Sequence, residues 1–148
     1  MVELPLPLLV DSLTPFNVCF FKDTAFPEDS SGHYYIVINK DHDRLLLVWI
    51  FSDWKSRQDR YLDQRDANCI VQVTKEEFDF LKYESGIDCN HYAYLTKEQL
   101  IQRIHPECKF EIIKRDIPQK IKQEIISAMK RSRIVPKTIR RLLPEQFD

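Results

Sequence analysis

A histidine and a serine bracket one apolar hairpin in this chain, and together they offer side chains that phosphodiester chemistry uses. Gly32-His33 runs straight into Tyr34-Tyr35-Ile36-Val37-Ile38-Asn39. The polar turn Lys40-Asp41-His42-Asp43-Arg44 follows, and then Leu45-Leu46-Leu47-Val48-Trp49-Ile50-Phe51 ends at Ser52. Two apolar runs around a short polar turn predict a β-hairpin. Antiparallel pairing across that turn brings His33 and Ser52 to the same end of the sheet. Imidazole titrates near neutral pH, so His33 can take or give a proton. Ser52 can donate to a phosphate oxygen, Lys55 and Arg57 can neutralise charge, and Tyr34, Tyr35 and Trp54 can stack on an unpaired base. Cleaving a ribose phosphodiester without a metal asks for little more. A base takes the 2′-hydroxyl proton, a cation or donor holds the phosphorane, and an acid protonates the leaving oxygen. Each residue also has a structural reading. His33 can simply end a turn, Ser52 or Asp53 can cap the next segment, and Trp54 can cover a core edge. Lys55, Arg57 and Arg60 interleave with Asp53, Asp59 and Asp63 as in a solvated, self-pairing loop.

The elements that must position these groups are legible as short segments. Strands are predicted over 16–22, 33–39, 45–52, 68–73 and 87–95, with a further one over 108–113. Thr74-Lys75-Glu76-Glu77 and Thr96-Lys97-Glu98-Gln99 both have the spacing of a capping box and predict two short helices. Phe78, Leu81 and Phe80 would face the core after the first. In the last third, Ile117, Ile121, Ile125, Ala128 and Met129 recur at helical steps, with Pro118 at the start and Lys120, Lys122, Glu124 and Lys130 outside. Pro136 starts a second, basic helix. The two basic helices span 117–143.

With 148 residues, 43% of them apolar and 11% aromatic, the chain can bury one core, and no low-complexity linker divides it. A single domain over 1–148 is expected, with 1–15 as an extended arm broken by prolines. That arm fits neither a signal peptide nor a spanning helix, so a cytoplasmic protein with no membrane partner is expected. Cys19, Cys69, Cys89 and Cys108 then read as buried thiols. Cys89-x-His91 with His105-x-x-Cys108 is a minority zinc reading, because the spacing departs from fingers and ribbons. No metal or cofactor is expected. Only Gly32 and Gly86 are present, so glycine-rich phosphate loops are excluded.

Net charge is -1 but unevenly spread. From Lys114 to Arg141 ten basic residues stand against Asp116 and Glu124. That imbalance favours a polyanion or acidic partner, with Arg131, Arg133, Arg140 and Arg141 as contacts.

The order of segments resembles the PemK/MazF family of toxin endoribonucleases. The segment 16–22 looks like that family's opening strand and 23–31 like its flexible loop. Gly32-His33-Tyr34-Tyr35 stands where the family has an arginine followed by proline, and Phe51-Ser52-Asp53 stands where it has a threonine or serine. Glu84-Ser85-Gly86-Ile87-Asp88-Cys89-Asn90 looks like a later family strand. His33 therefore occupies the arginine's place. The resemblance implies an α+β fold, an SH3-like β-barrel with short inserted helices and a C-terminal helical region. It also implies metal-independent cleavage of single-stranded RNA, with His33 and Ser52 catalytic, an antitoxin protein as partner, and a homodimer. The alternative is a non-catalytic SH3-like module that binds protein or nucleic acid through its basic helices.

Overall fold

The computed structural model describes residues 4–25 and 32–145. Most of the loop expected at 23–31, and the start of the expected arm, lie outside them. Six strands form one antiparallel sheet: β1 (Val18–Phe21), β2 (His33–Asp41), β3 (Arg44–Phe51), β4 (Ile70–Val73), β5 (Ser85–Thr96) and β6 (Glu111–Lys114). Their order is β4-β5-β3-β2-β1-β6. Among the described residues β4 and β6 are edges that do not pair with each other, so the fold is α+β with an open sheet and the expected barrel closure is not seen.

Helices cover both faces. On one lie α5 (Gln119–Arg131) and α6 (Lys137–Arg140), on the other α1 (Leu6–Asp11) and α4 (Lys97–Arg103). The α5 face buries Ile36, Ile38, Leu46, Val48, Ile50, Ile121 and Ile125; the α4 face buries Tyr35, Val37, Leu45, Leu47, Trp49, Phe51 and Leu100. The strict alternation along β3, with seven of its eight residues buried, is what a central strand between two helical layers requires. No helix of the described residues is long and apolar enough to cross a membrane.

Several expectations need correction. The arm is not extended throughout, because Leu6–Asp11 is helical. Pro5 is its N-cap and Pro7 falls in its first turn, where a missing N–H costs nothing. Leu6, Leu9 and Val10 pack against the α4-side core, and Asp11 pairs with Lys97 at 3.1 Å. The box at Thr74 forms, with Glu77 N–H donating to Thr74 Oγ1 at 3.2 Å and Thr74 N–H to Glu77 Oε1 at 3.0 Å, but it closes a turn and not a helix. Phe78 and Phe80 stack at 5.3 Å, and Phe78 and Leu81 are buried immediately after the turn. The box at Thr96 does start a helix, α4. The segment read as a solvated loop holds two helices, α2 (Trp54–Arg60) and α3 (Gln64–Ala67). Asp53 caps α2 by position only, without a side-chain hydrogen bond, whereas Asp63 accepts from Arg65 N–H at 2.8 Å at the start of α3. Lys122, expected outside, is buried on α5, paired to Asp116 at 2.7 Å and lying over the Phe16 ring.

One irregularity reorganises β5. Val48 pairs with Tyr92 but Ile50 pairs with Ile87, so β5 carries a bulge of extra residues between these pairs. Before it, Ile87 and Cys89 point into the α5 side; after it, Tyr92 and Tyr94 do so and Ala93 faces the α4 side. Buried Asn90 holds the bulge, donating to the Asp66 carbonyl at 2.7 Å and accepting from the Ser132 hydroxyl. Just upstream, Gly86 lets α2 dock on β5. A Cβ placed there would lie 2.4 Å from Trp54 Cβ and 2.9 Å from Ile70 Cγ2. Gly86→Ala is therefore expected to destabilise the fold by about 1–3 kcal/mol, as overpacking does. Urea denaturation measures it, and an unchanged midpoint would refute this packing.

Candidate functional site

Trp49 and Phe51 are successive residues of β3 on the α4 face, and their buried rings form the floor of the site. From β2, His33 meets Phe51 edge-on at 6.1 Å between ring centroids. From β5, His91 meets Phe51 at 6.3 Å and Trp49 at 4.7 Å. The two imidazoles thus flank one phenylalanine on one face of the sheet. His91 stands there because the bulge reverses the alternation after Cys89.

Two helices each bring an arginine to this floor. Arg57 of α2 lies flat on Phe51, its guanidinium carbon 3.4 Å from the ring centroid, and Arg103 of α4 lies 5.7 Å from that of Trp49. Arg103 is tied down. Its Nε donates to Asp23 Oδ1 at 3.0 Å and its terminal nitrogen to Oδ2, while the Tyr35 hydroxyl donates to Asp23 Oδ2 at 2.7 Å. Burial alone would raise the pKa of Asp23, but the hydrogen bonds from Arg103, Ala25 N–H and Tyr35 outweigh it and hold the carboxyl below its ordinary range. Burial and the same bond to Asp23 push the Tyr35 phenol up, so it stays protonated. Arg57 is held more loosely. The exposed Asp53 carboxylate lies 3.6 Å away, beyond hydrogen-bond reach, and the buried Nε of Arg57 has no hydrogen-bond partner among the described residues. A guanidinium that shares an aromatic ring with two imidazoles and has no hydrogen-bonded carboxylate among the described residues suits an anion.

Burial, then the charge of Arg57, lower the pKa of His91 below the usual histidine value; Asp88 opposes them and Arg103 adds to them. His91 is favoured in its neutral form.

The residues singled out in the sequence divide. His33 and Arg57 meet at the floor. Ser52 lies one residue past Phe51, exposed in the turn into α2, and Lys55 is exposed on α2. Trp54 packs on Gly86 at the far edge of α2. Neither tyrosine offers a free face for base stacking. Tyr35 is buried and stacked on Phe21 at 4.3 Å, and Tyr34 points to the opposite side between Phe20 and Phe80, each at 4.7 Å. Arg131 ends α5 and Arg133 follows it, on that opposite side. Arg131 donates to Ser127 Oγ at 2.6 Å, and Arg133 pairs with Asp63 at 2.8 Å. Arg140 and Arg141 sit at α6, on the same side. Lys114, Lys120 and Lys122 also pair with carboxylates, whereas Arg115 donates to the neutral Ser12 carbonyl, so the basic run is neutralised only in part.

The four candidate zinc ligands are not gathered. Cys89 is buried on the α5 side and His91 faces the other, and no group of three His, Cys, Asp or Glu among the described residues could hold a metal. Cys19, Cys69 and Cys89 are buried and Cys108 partly so, all as free thiols, and burial pushes Cys19 up to about 12. Sequence reasoning passed over Trp49, Phe51, Asp23 and Arg103, and placed His91 only in the metal set. The alternation of β3 marks Trp49 and Phe51 as one face, but nothing local in the sequence announces Arg103 as the partner of Asp23. No family model matches the chain, and no curated protein matches it.

Asp23 gives the site its acid sensitivity. A carboxyl with a depressed folded-state pKa contributes stability above its unfolded value, near 3.8, and loses it as pH falls through the lower folded value. Asp23→Asn should cost about 3–5 kcal/mol at neutral pH, as breaking a buried pair does, and should flatten the loss of stability below about pH 4. Denaturant midpoints across pH test this; an unchanged acid limb would exclude Asp23 as its source.

Proposed function

We propose that the chain is a metal-independent endoribonuclease acting on single-stranded RNA at the Trp49–Phe51 floor. The observation that carries this reading is Arg57, which shares the Phe51 ring with two imidazoles and has no hydrogen-bonded carboxylate among the described residues. A phosphodiester resting on Arg57 has His33 within reach for proton transfer, and the guanidinium stabilises the charge that grows on the phosphorane. Arg103, paired with Asp23, holds α4 against the floor. Ser52, at the rim, donates to a phosphate oxygen. The segment order, which resembles that of the PemK/MazF toxins, supports the same reading, although the sheet is open and not closed into their SH3-like barrel. In it an antitoxin segment occupies the RNA groove, a second copy completes a dimer, and the setting is a cytoplasmic toxin-antitoxin or related defence system.

A module binding through its basic helices is less well supported. Arg131 and Arg133 are already engaged by Ser127 and Asp63, and they lie on the face opposite His33.

Incubation of the purified protein with long single-stranded RNA in excess EDTA tests the reading. Discrete cuts with cyclic-phosphate ends are expected. His33→Ala should slow them about 100- to 10,000-fold, the range for a positioned acid or base, and Ser52→Ala about tenfold, the worth of one hydrogen bond. Intact RNA with folded protein would refute it.

A further inference from the structure

We propose that His91 is a second acid–base residue of this site, working across Phe51 from His33. The inference rests on the ribonuclease reading above. In-line displacement at phosphorus needs a base on the attacking side and an acid on the leaving side, so one imidazole cannot serve both at once. His33 and His91 meet the same Phe51 ring from strands on either side of β3, at nearly equal separations of 6.1 and 6.3 Å. Arg57 lies on that ring at 3.4 Å, so a phosphate seated on the guanidinium has a histidine to each side.

The surroundings of His91 assign the roles. It faces Arg57 from α2, Arg103 from α4 and Asp88 from its own strand, while Tyr61 at the end of α2 donates to Asp88 at 2.6 Å and so occupies part of that carboxylate. Partial burial against Trp49, and then the charge of Arg57, favour the neutral ring, ready to accept a proton; Asp88 opposes them, and Arg103 is itself paired with Asp23. His91 takes the proton of the ribose 2′-hydroxyl as the 2′-oxygen bonds to phosphorus. The bond from phosphorus to the 5′-oxygen breaks, and His33 protonates that oxygen. A 2′,3′-cyclic phosphate and a 5′-hydroxyl are released, and exchange with solvent resets both imidazoles.

Packing of His91 on Trp49 is the purely structural alternative, and the pH profile separates the two. Initial rates on single-stranded RNA in EDTA are measured from about pH 5 to about pH 9 for the intact chain, His91→Ala and His33→Ala, with thermal denaturation as a control for folding. A bell-shaped profile is expected for the intact chain. His91→Ala should lose at least about 100-fold and the acid limb of the bell, and free imidazole should restore part of the rate. A folded His91→Ala that keeps both the rate and the bell overturns the inference while the ribonuclease reading stands. If the alanine variant does not fold, His91→Gln is judged by the same criteria. RNA left intact by the unaltered protein overturns both.

Discussion

The bulge in β5 is the constraint on which the site depends. A regular strand alternates its side chains, so Cys89 and His91 would share a face and His91 would point toward α5. The extra residues between the Val48–Tyr92 and Ile50–Ile87 pairs reverse that alternation, leaving Cys89 in one core and turning His91 to the aromatic floor of the other face. Asn90 makes the reversal affordable, since it satisfies its buried amide with Asp66 and Ser132. Through those bonds the bulge is also tied to α3 and to the end of α5.

Charge on the α4 face follows from what can be paired there. Arg103 reaches a carboxylate that is wholly buried, and this bond fixes α4 against the segment after β1. Backbone pairing extends the same seam, with Thr24 N–H donating to the Arg103 carbonyl at 2.8 Å and His105 N–H to that of Lys22 at 2.9 Å. Arg57 has no such anchor. Its cation rests on Phe51 and its Asp53 neighbour is largely in solvent, where a single ion pair is worth little. One arginine therefore serves the architecture and the other is left available to an anion.

Much of the sheet was legible in the sequence because its strands are short, apolar and separated by turn residues. The hairpin from His33 to Phe51 forms nearly as its pattern predicts, and the second capping box starts α4 where expected. Failures have local causes. Prolines in the first residues looked like helix breakers but lie at a helix start, and the box at Thr74 closes on itself within a turn. The charged stretch after Ser52 reads as loop from its composition, yet tertiary contacts of Trp54 with Gly86 and of Tyr61 with Asp88 fold it into helices. The site was half visible. His33 and Arg57 could be named from their place beside the hairpin, whereas His91 required knowledge of a bulge and Arg103 of a partner eighty residues away.

The most direct test of the central claim uses the chain's four histidines, His33, His42, His91 and His105, as separate reporters. Their imidazole resonances would be followed by NMR while a short, uncleavable 2′-O-methyl RNA is added. The account predicts that His33 and His91 shift together, that His42 in the hairpin turn and His105 after α4 stay in place, and that Arg57→Ala abolishes the response. Shifts that spare both His33 and His91 while RNA binds elsewhere, at the C-terminal arginines for example, would contradict it.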